Sequence, residues 1–252
     1  MKRNWQAGCA GFPVSLDEYF KKLTAVEVQE TFFEPPAKRT LERWRRSAPA
    51  GFAFVVRAWQ LITHPEVSPG YRRMRALPDW ASPGQLGFFR PGDAVRRAWE
   101  ILRETAEALE ARAILFETPH SFTPSRENRE NLVRFFSEAP RGKQHLVWHA
   151  EGMWTEAEVE TLSRQLDLIP AIDPLVTPVP CGRFVYFRLP GRTRGAARYT
   201  TDDFYRILQA VEARGKRGGK EGILIWTSRD GIQDAERFRS WFTEEQGGRR
   251  SG

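Results

Sequence analysis

Short apolar segments alternate with amphipathic, helix-like segments along almost the whole chain, and this alternation limits the fold more than any other feature. Eight of these apolar segments predict strands, at residues 5–9, 25–29, 52–57, 113–117, 145–149, 168–172, 184–189 and 222–226. Strands separated by helices are typical of βα units on a parallel sheet. Eight units in 252 residues match the usual size of a closed barrel, so we predict an α/β fold of the (β/α)8 TIM-barrel type.

An open, doubly wound sheet is the competing α/β architecture, and the first strand argues against it. The segment after that strand carries no glycine-rich phosphate-binding fingerprint, and Pro13 stands where a helix would already be running. Helix starts are visible elsewhere, at Ser15 with Glu18 three residues later and at Thr201 followed by two acidic residues. The closed barrel is therefore the preferred prediction.

Residues 59–93 break the rhythm of the barrel, because they show no long amphipathic pattern. Prolines and glycines lie there among aromatic residues and arginines, a composition too aromatic for a flexible linker. Long loops in compact domains are usually functional, so we predict a lid or binding loop after the third strand. The remaining pattern predicts one barrel domain over residues 1–245 and a disordered tail over residues 246–252.

The chain is basic, with 39 Lys and Arg against 32 Asp and Glu, which gives a net charge of +7. Arginine suits anionic partners, although arginine-rich composition also follows from GC-rich coding or heat adaptation. The two cysteines lie far apart, which favours a reducing compartment over a disulfide. No apolar stretch approaches the length of about 18 residues that spans a membrane. We expect a cytoplasmic protein without a membrane partner, and the sequence carries no signal of its oligomeric state.

Charged residues stand at the predicted carboxyl ends of several strands, where barrels place their active sites. In the second strand, Glu27 and Gln29 face the barrel axis if the alternating valines pack on helices. The other strand-end residues are Arg57, Glu117, His149, Glu151, Asp173 and Arg188. A ligand site is one interpretation of these charges. A neutralising ion network that plugs the barrel is the other.

Anion-binding features occur in three loops. Residues 190–195 follow the seventh strand and residues 227–231 follow the eighth, which are the two loops where barrels most often hold a phosphate. Within the long loop, Tyr71 and Arg72 belong to a basic run that could contact a nucleotide or a nucleic-acid strand. Because glycine and arginine are frequent throughout this chain, a chance match or a solvated basic loop explains these runs equally well.

Other site chemistries have weaker support. Glu117, His149, Glu151 and Asp173 offer one imidazole and three carboxylates to a divalent metal, but they lie on three strands and form no local motif. A metal is therefore considered but not favoured, and the cofactor is left unassigned. No Gly-x-Ser-x-Gly nucleophile motif occurs. His64 could act as an acid or base or could cap a carbonyl, whereas His120 and His145 are interpreted as structural.

A set of motifs spread over nearly the whole chain resembles the domain-of-unknown-function 72 (YecE-like) family. The most specific is the run Gln60-Leu61-Ile62-Thr63-His64 with Tyr71-Arg72-Arg73 behind it. Further matching segments lie in order at residues 26–33, 51–54, 87–91, 119–122, 127–128, 134–136, 173–174, 186–189 and 234–238. The resemblance implies a (β/α)8 barrel similar to metal-dependent sugar isomerases and abasic-site endonucleases, which is an analogy of fold and not of function.

The chain departs from the family pattern at several strand ends. Glu117 stands where the family usually has Gln, residues 148–151 replace a Trp-Glu-Pro-Arg-like run, and Pro190 replaces a His. Residues 227–228 stand near the place of an Asn pair. The residues that remain in register with the family are Glu27, His64, Tyr71, Arg72, Asp173 and Arg188.

These observations predict a barrel that binds an anionic, phosphorylated small molecule at the carboxyl ends of its strands. In this hypothesis Arg188 and Arg72 hold the anion, Tyr71, Arg57, Glu117, His149 and Glu151 line the site, and Glu27, His64 and Asp173 are the catalytic candidates. A hydrolase or isomerase reaction would fit, but the residues do not select one. The alternatives are a barrel that binds or cleaves nucleic acid and a noncatalytic barrel whose site has degenerated.

Overall fold

A computed structural model of the chain describes residues 5–180, 182, 184–191, 198–216 and 221–248. Within these residues, parallel strands close into a barrel in the order of the sequence. The strands are β1 (Trp5–Ala10), β2 (Ala25–Val28), β3 (Ala53–Arg57), β4 (Ala113–Thr118), β5 (His145–Ala150), β6 (Ile169–Ile172), β7 (Phe184–Leu189) and β8 (Glu221–Trp226). The predicted (β/α)8 TIM barrel is confirmed.

Helices fill the connections between the strands, as the alternation of sequence patterns predicts. They are α1 (Leu16–Lys22), α2 (Glu30–Phe33), α3 (Lys38–Ser47), α4 (Gln60–Thr63), α5 (Asp93–Ala108), α6 (Arg126–Glu138), α7 (Glu156–Gln165), α8 (Thr201–Lys216) and α9 (Gly231–Gly248). The Ser15 hydroxyl accepts a hydrogen bond from the Glu18 backbone N–H and so caps α1 as predicted. Helix α9 continues through residues 246–248 of the predicted tail, and residues 249–252 lie outside the described part.

The 59–93 segment is more ordered than its sequence indicates. It contains the single turn α4 and a 3-10 turn over Pro69–Arg73, in addition to irregular backbone. The Gly87 N–H donates to the Leu61 carbonyl at 2.8 Å, and the Phe89 N–H donates to the Ile62 carbonyl at 2.9 Å. Leu61, Ile62 and Phe89 are buried. Both ends of the segment are therefore fixed to each other by backbone hydrogen bonds and apolar packing.

The chain contains two compact units that alternate along the sequence, so neither is a consecutive domain. The first unit comprises Met1–Glu27, Ser47–Ala53 and Ala171–Gly252, and the second comprises Val28–Arg46 and Phe54–Pro170. In the first unit Trp226 and Phe204 pack their rings on Phe238 of α9. In the second unit Phe89 packs on Phe116 and on both aromatic residues of α6, Phe135 and Phe136. Each unit thus has an aromatic core of its own.

In the described part of the chain, none of the helices combines the length and the apolar composition that crossing a membrane requires.

Candidate functional site

Glu27 is a completely buried carboxylate whose partners lie on a strand that is not its neighbour. The Tyr186 hydroxyl donates to Glu27 Oε2 at 2.6 Å, and Arg188 Nη2 donates to Oε1 at 3.2 Å. Both partners belong to β7, and β1 and β8 lie between β7 and β2 in the strand order. The contacts therefore cross the barrel interior, as expected for a residue that alternates with Val26 and Val28.

Glu27, one of the predicted catalytic residues, is enclosed by protein groups. Its side chain has no exposed surface, and Arg188 neutralises its charge. Nearby, burial raises the pKa of the Cys9 thiol to about 11, with Glu27 adding to the shift through its charge. Because a thiol is nucleophilic only as the thiolate, this shift keeps Cys9 in its less reactive protonated form at neutral pH.

Asp173, the third catalytic candidate, follows β6 and organises the turn behind it. Its Oδ1 accepts a hydrogen bond from the Leu175 N–H at 2.9 Å, and its backbone carbonyl accepts from Val176 and Thr177. This arrangement is an Asx-type turn, in which the carboxylate replaces a backbone acceptor.

The loops after β7 and β8 meet at Gly191 and Ser228. A Cβ atom added at Gly191 would lie 3.3 Å from the Ser228 Cβ, and the Thr227 N–H donates to the Leu189 carbonyl. The Ser228 Oγ is buried and has no hydrogen-bond partner among the described residues. Helix α9 begins at Gly231, three residues further on. The remaining loop residues of the predicted anion site, 192–195, lie outside the described part.

In the second unit, Arg57 ends β3 and is held from several sides. Its Nη1 donates to the Gln29 side-chain oxygen at 2.8 Å, and its Nη2 donates to Glu117 Oε1 at 3.1 Å. The guanidinium carbon lies 3.9 Å from the centre of the Phe32 ring, within the range of a cation–π contact. These contacts fix the orientation of the guanidinium group at the carboxyl end of the strand.

His64 lies directly after α4 and is uncharged at neutral pH. Burial lowers its pKa to about 4, and the positive charge of Arg57 lowers the pKa further than Glu117 raises it. Its Nδ1 lies 2.8 Å from the Thr63 hydroxyl, and its ring packs edge-on against Phe32. The imidazole can accept or donate a hydrogen bond, but it does not supply a proton as an imidazolium at pH 7.

Tyr71 and Arg72, predicted as ligand-binding residues, have different environments. The Tyr71 hydroxyl donates to the His64 carbonyl at 2.9 Å, and burial raises the pKa of this phenol. Tyr71 therefore fixes the backbone of the 59–93 segment. Arg72 is exposed, and the next residue, Arg73, lies 3.8 Å above the Phe33 ring.

The structure brings Glu117, His149 and Glu151 into one cluster at the ends of β4 and β5. One potential ligand atom from each residue lies within 4.8 Å of the others. Glu117 and His149 are direct partners in the β4–β5 register, and Glu151 follows β5. His120 extends the cluster, because its Nε2 lies 3.4 Å from Glu151 Oε2.

Sequence reasoning missed Tyr186 as the second partner of Glu27, and it interpreted His120 as structural. A signal for Tyr186 was present, because it lies two residues before Arg188 and therefore on the same face of β7. No equivalent signal existed for His120, which lies on the loop between β4 and α6 and approaches Glu151 of another loop.

The fold and these clusters define a (β/α)8-barrel protein with ionisable residues at the carboxyl ends of its strands. Residues 3–250 match the family described as "Protein of unknown function DUF72". The chain belongs to the DUF72 family. No match is found among curated proteins.

Several solved structures share the fold. A DUF72 family protein from Thermotoga maritima aligns with a TM-score of 0.69 at 17% identity, over 95% of this chain and 99% of that chain. One from Enterococcus faecalis gives a TM-score of 0.66 at 16% identity, over 93% and 92%. A family 2 AP endonuclease from Brucella melitensis gives 0.57 at 12% identity, over 96% and 98%. Identities this low demonstrate a shared fold and do not transfer an activity.

Proposed function

We propose that this DUF72 barrel binds an anionic small molecule through a phosphate group at the carboxyl ends of β7 and β8. The observation that carries the proposal is the Ser228 hydroxyl, which is buried and has no hydrogen-bond partner among the described residues. A buried hydroxyl without a partner costs about 1–3 kcal/mol. A phosphate oxygen that accepts this hydrogen would remove that cost.

The backbone around Ser228 suits the same ligand. Helix α9 has 18 residues, and its first N–H groups carry the positive end of the helix dipole. Gly191 of the facing loop has no side chain, so the backbones of the two loops can approach a ligand closely. The loops after strands seven and eight are also where TIM barrels most often bind phosphate.

Arg188 supplies the cation of this proposed site. It lies one residue before the end of β7 at Leu189, and its side chain is 12% exposed. The Glu27 carboxylate holds one nitrogen of the guanidinium at 3.2 Å. A guanidinium held in this way is oriented before a ligand arrives, which lowers the entropy lost on binding.

The test measures the unfolding free energy and the ligand affinity of Ser228→Ala. Ser137→Ala is the control, because Ser137 is exposed on α6. Without ligand, Ser228→Ala should gain about 1 kcal/mol of unfolding free energy, because an unsatisfied buried group is removed. Its affinity for sugar phosphates, measured by titration calorimetry, should fall. Arg188→Lys, which keeps the charge but loses the fork of the guanidinium, should weaken the same ligands. Unchanged affinity in both folded variants would rule the site out.

Nucleic acid is a second candidate ligand, supported by Arg72 and Arg73. Arg72 is exposed, Arg73 stacks on Phe33, and the chain carries a net charge of +7. Binding through phosphates would weaken by about 0.9 log units per log unit of salt for each phosphate neutralised. Fluorescence anisotropy of a short labelled DNA at several salt concentrations measures this slope, and a flat profile would exclude the candidate.

A further inference from the structure

We propose that Glu117, His149 and Glu151 form a binding site for a divalent transition-metal ion, with Zn²⁺ and Mn²⁺ as the ions that fit best. This site lies within the second unit and does not depend on the phosphate site proposed for the first. Its basis is the convergence of one imidazole and two carboxylates whose ligand atoms all lie within 4.8 Å of one another.

The ligand atoms of the cluster lie within 4.8 Å of one another, a wider spacing than around a bound ion. Zinc binds nitrogen and carboxylate oxygen at about 2.0–2.2 Å, so ligand atoms around one ion lie roughly 3–3.6 Å apart. His149 Nδ1 is 4.0 Å from Glu151 Oε1, slightly beyond this range. Small rotations of the Glu151 side chain, which is 31% exposed, would close the difference.

The local charge favours a cation. Glu117 and Glu151 carry two negative charges, and the guanidinium of Arg57 provides one positive charge beside Glu117. A carboxylate has two oxygens, so Glu117 can keep the hydrogen bond of Arg57 on Oε1 and bind the ion with Oε2.

Backbone contacts hold together the strands and loops that carry the three proposed metal ligands. Glu117 and His149 face each other across the paired strands β4 and β5. The loops behind these strands are packed tightly, because a Cβ atom at Gly152 would lie 2.7 Å from the His120 carbonyl oxygen. The His120 imidazole, on an exposed side chain, lies 3.4 Å from Glu151 Oε2.

The donor set selects the class of metal. Imidazole nitrogen suits zinc and related transition metals, whereas Mg²⁺ and Ca²⁺ prefer oxygen ligands throughout. Three protein ligands on a partly exposed surface also leave coordination positions for water or another molecule. This pattern is typical of catalytic rather than structural zinc sites.

Titration calorimetry of the chelator-treated 252-residue chain with ZnCl₂ and MnCl₂ tests the proposal. We expect one ion per chain, and we expect Glu151→Gln to weaken binding about tenfold or more, because the amide oxygen is a poorer ligand. His149→Gln should have a similar effect. Glu138→Gln, on the exposed face of α6, is the matched control and should bind as the unmodified chain does.

Melting curves without metal show whether each variant is folded, so that a loss of binding is not a loss of structure. The proposal fails if neither ion binds to the unmodified chain. It also fails if folded Glu151→Gln and His149→Gln proteins bind the ion with the affinity of the control.

Discussion

The Tyr186 hydroxyl donates a hydrogen bond to Glu27 Oε2 at 2.6 Å, joining β7 to β2 through the barrel interior. Arg188 reaches the other oxygen of the same carboxylate. Tyr186 and Glu27 are both completely buried, so protein groups, among them this hydroxyl and this guanidinium, replace water around the carboxylate. Such an arrangement tolerates the loss of a partner poorly, since the remaining charge stays buried.

Glu27→Gln should therefore lower the free energy of unfolding by about 3–5 kcal/mol, because it removes a completely buried charge that pairs with the Arg188 guanidinium. Urea denaturation measures the change. Glu18→Gln, which breaks the exposed ion pair with Lys22, is the control and should cost less than about 1 kcal/mol. Equal costs for the two variants would show that the buried pair contributes no more than a surface pair.

The stability should depend on His64 between pH 6.5 and about pH 4, the ordinary and the lowered pKa of this group. The unfolded chain binds a proton in this range and the folded chain does not, so stability falls as the pH drops. The contribution from His64 amounts to about 3 kcal/mol. Urea denaturation of the unmodified chain and of His64→Gln should give a stability difference that changes across this range. A difference that is constant with pH would contradict the interpretation.

Gly152→Ala should destabilise the protein more than Gly84→Ala. Both glycines have positive φ angles, 94° and 83°, so alanine is strained at either position. Only Gly152 also has a neighbour, the His120 carbonyl oxygen, within 2.7 Å of an added Cβ atom. We expect a loss of about 1 kcal/mol at Gly84 and at least about 2 kcal/mol at Gly152, measured as a shift in the urea midpoint. Similar losses for the two variants would mean that the loop carrying Gly152 and the loop carrying His120 are not tightly packed.

Phe89→Ala should loosen the packing of the 59–93 segment against the rest of the second unit. Phe89 is 1% exposed, and its ring contacts Phe116, Phe122 and the aromatic residues of α6. Removing a buried phenylalanine costs about 3–5 kcal/mol. Hydrogen exchange should show faster exchange at the backbone N–H groups of Gly87 and Phe89. Val67→Ala is the control, since Val67 is 91% exposed, and it should leave exchange unchanged.

The barrel could be predicted from the sequence because its strands are short, mostly apolar segments separated by helix-like segments, and the period and length of such segments are local signals. The inward orientation of Glu27 followed from its alternation with valines in the same strand. Glu117, His149, Glu151 and Asp173 could be proposed from the sequence as possible metal ligands, but the approach of Glu117 to His149 could not be predicted, since it depends on the pairing of β4 with β5. No local motif joins Glu117 to His149 and Glu151, so the sequence alone does not favour a metal there.

The sequence also could not predict that the two ends of the 59–93 segment are fixed to each other. Its fixed geometry comes from backbone hydrogen bonds, such as the one from the Gly87 N–H to the Leu61 carbonyl. Backbone hydrogen bonds of this kind do not depend on the residue type, so the sequence does not reveal them. Phe88 and Phe89 adopt positive φ angles of 54° and 53°. Such angles are uncommon for residues other than glycine, so the residue type does not predict them. The tertiary packing around Phe89 overrides the local preference.

The most direct test of the proposed phosphate site is a thermal-shift measurement of the purified protein. The ligands are inorganic phosphate, a panel of sugar phosphates and a short DNA duplex, each at two salt concentrations. A ligand at about 100 times its Kd stabilises the folded state by roughly 2.7 kcal/mol, which is visible as a raised melting temperature. The proposal predicts a shift from a phosphorylated small molecule that persists at the higher salt concentration. No shift from any phosphate compound, or a shift from DNA alone that disappears at high salt, would contradict it.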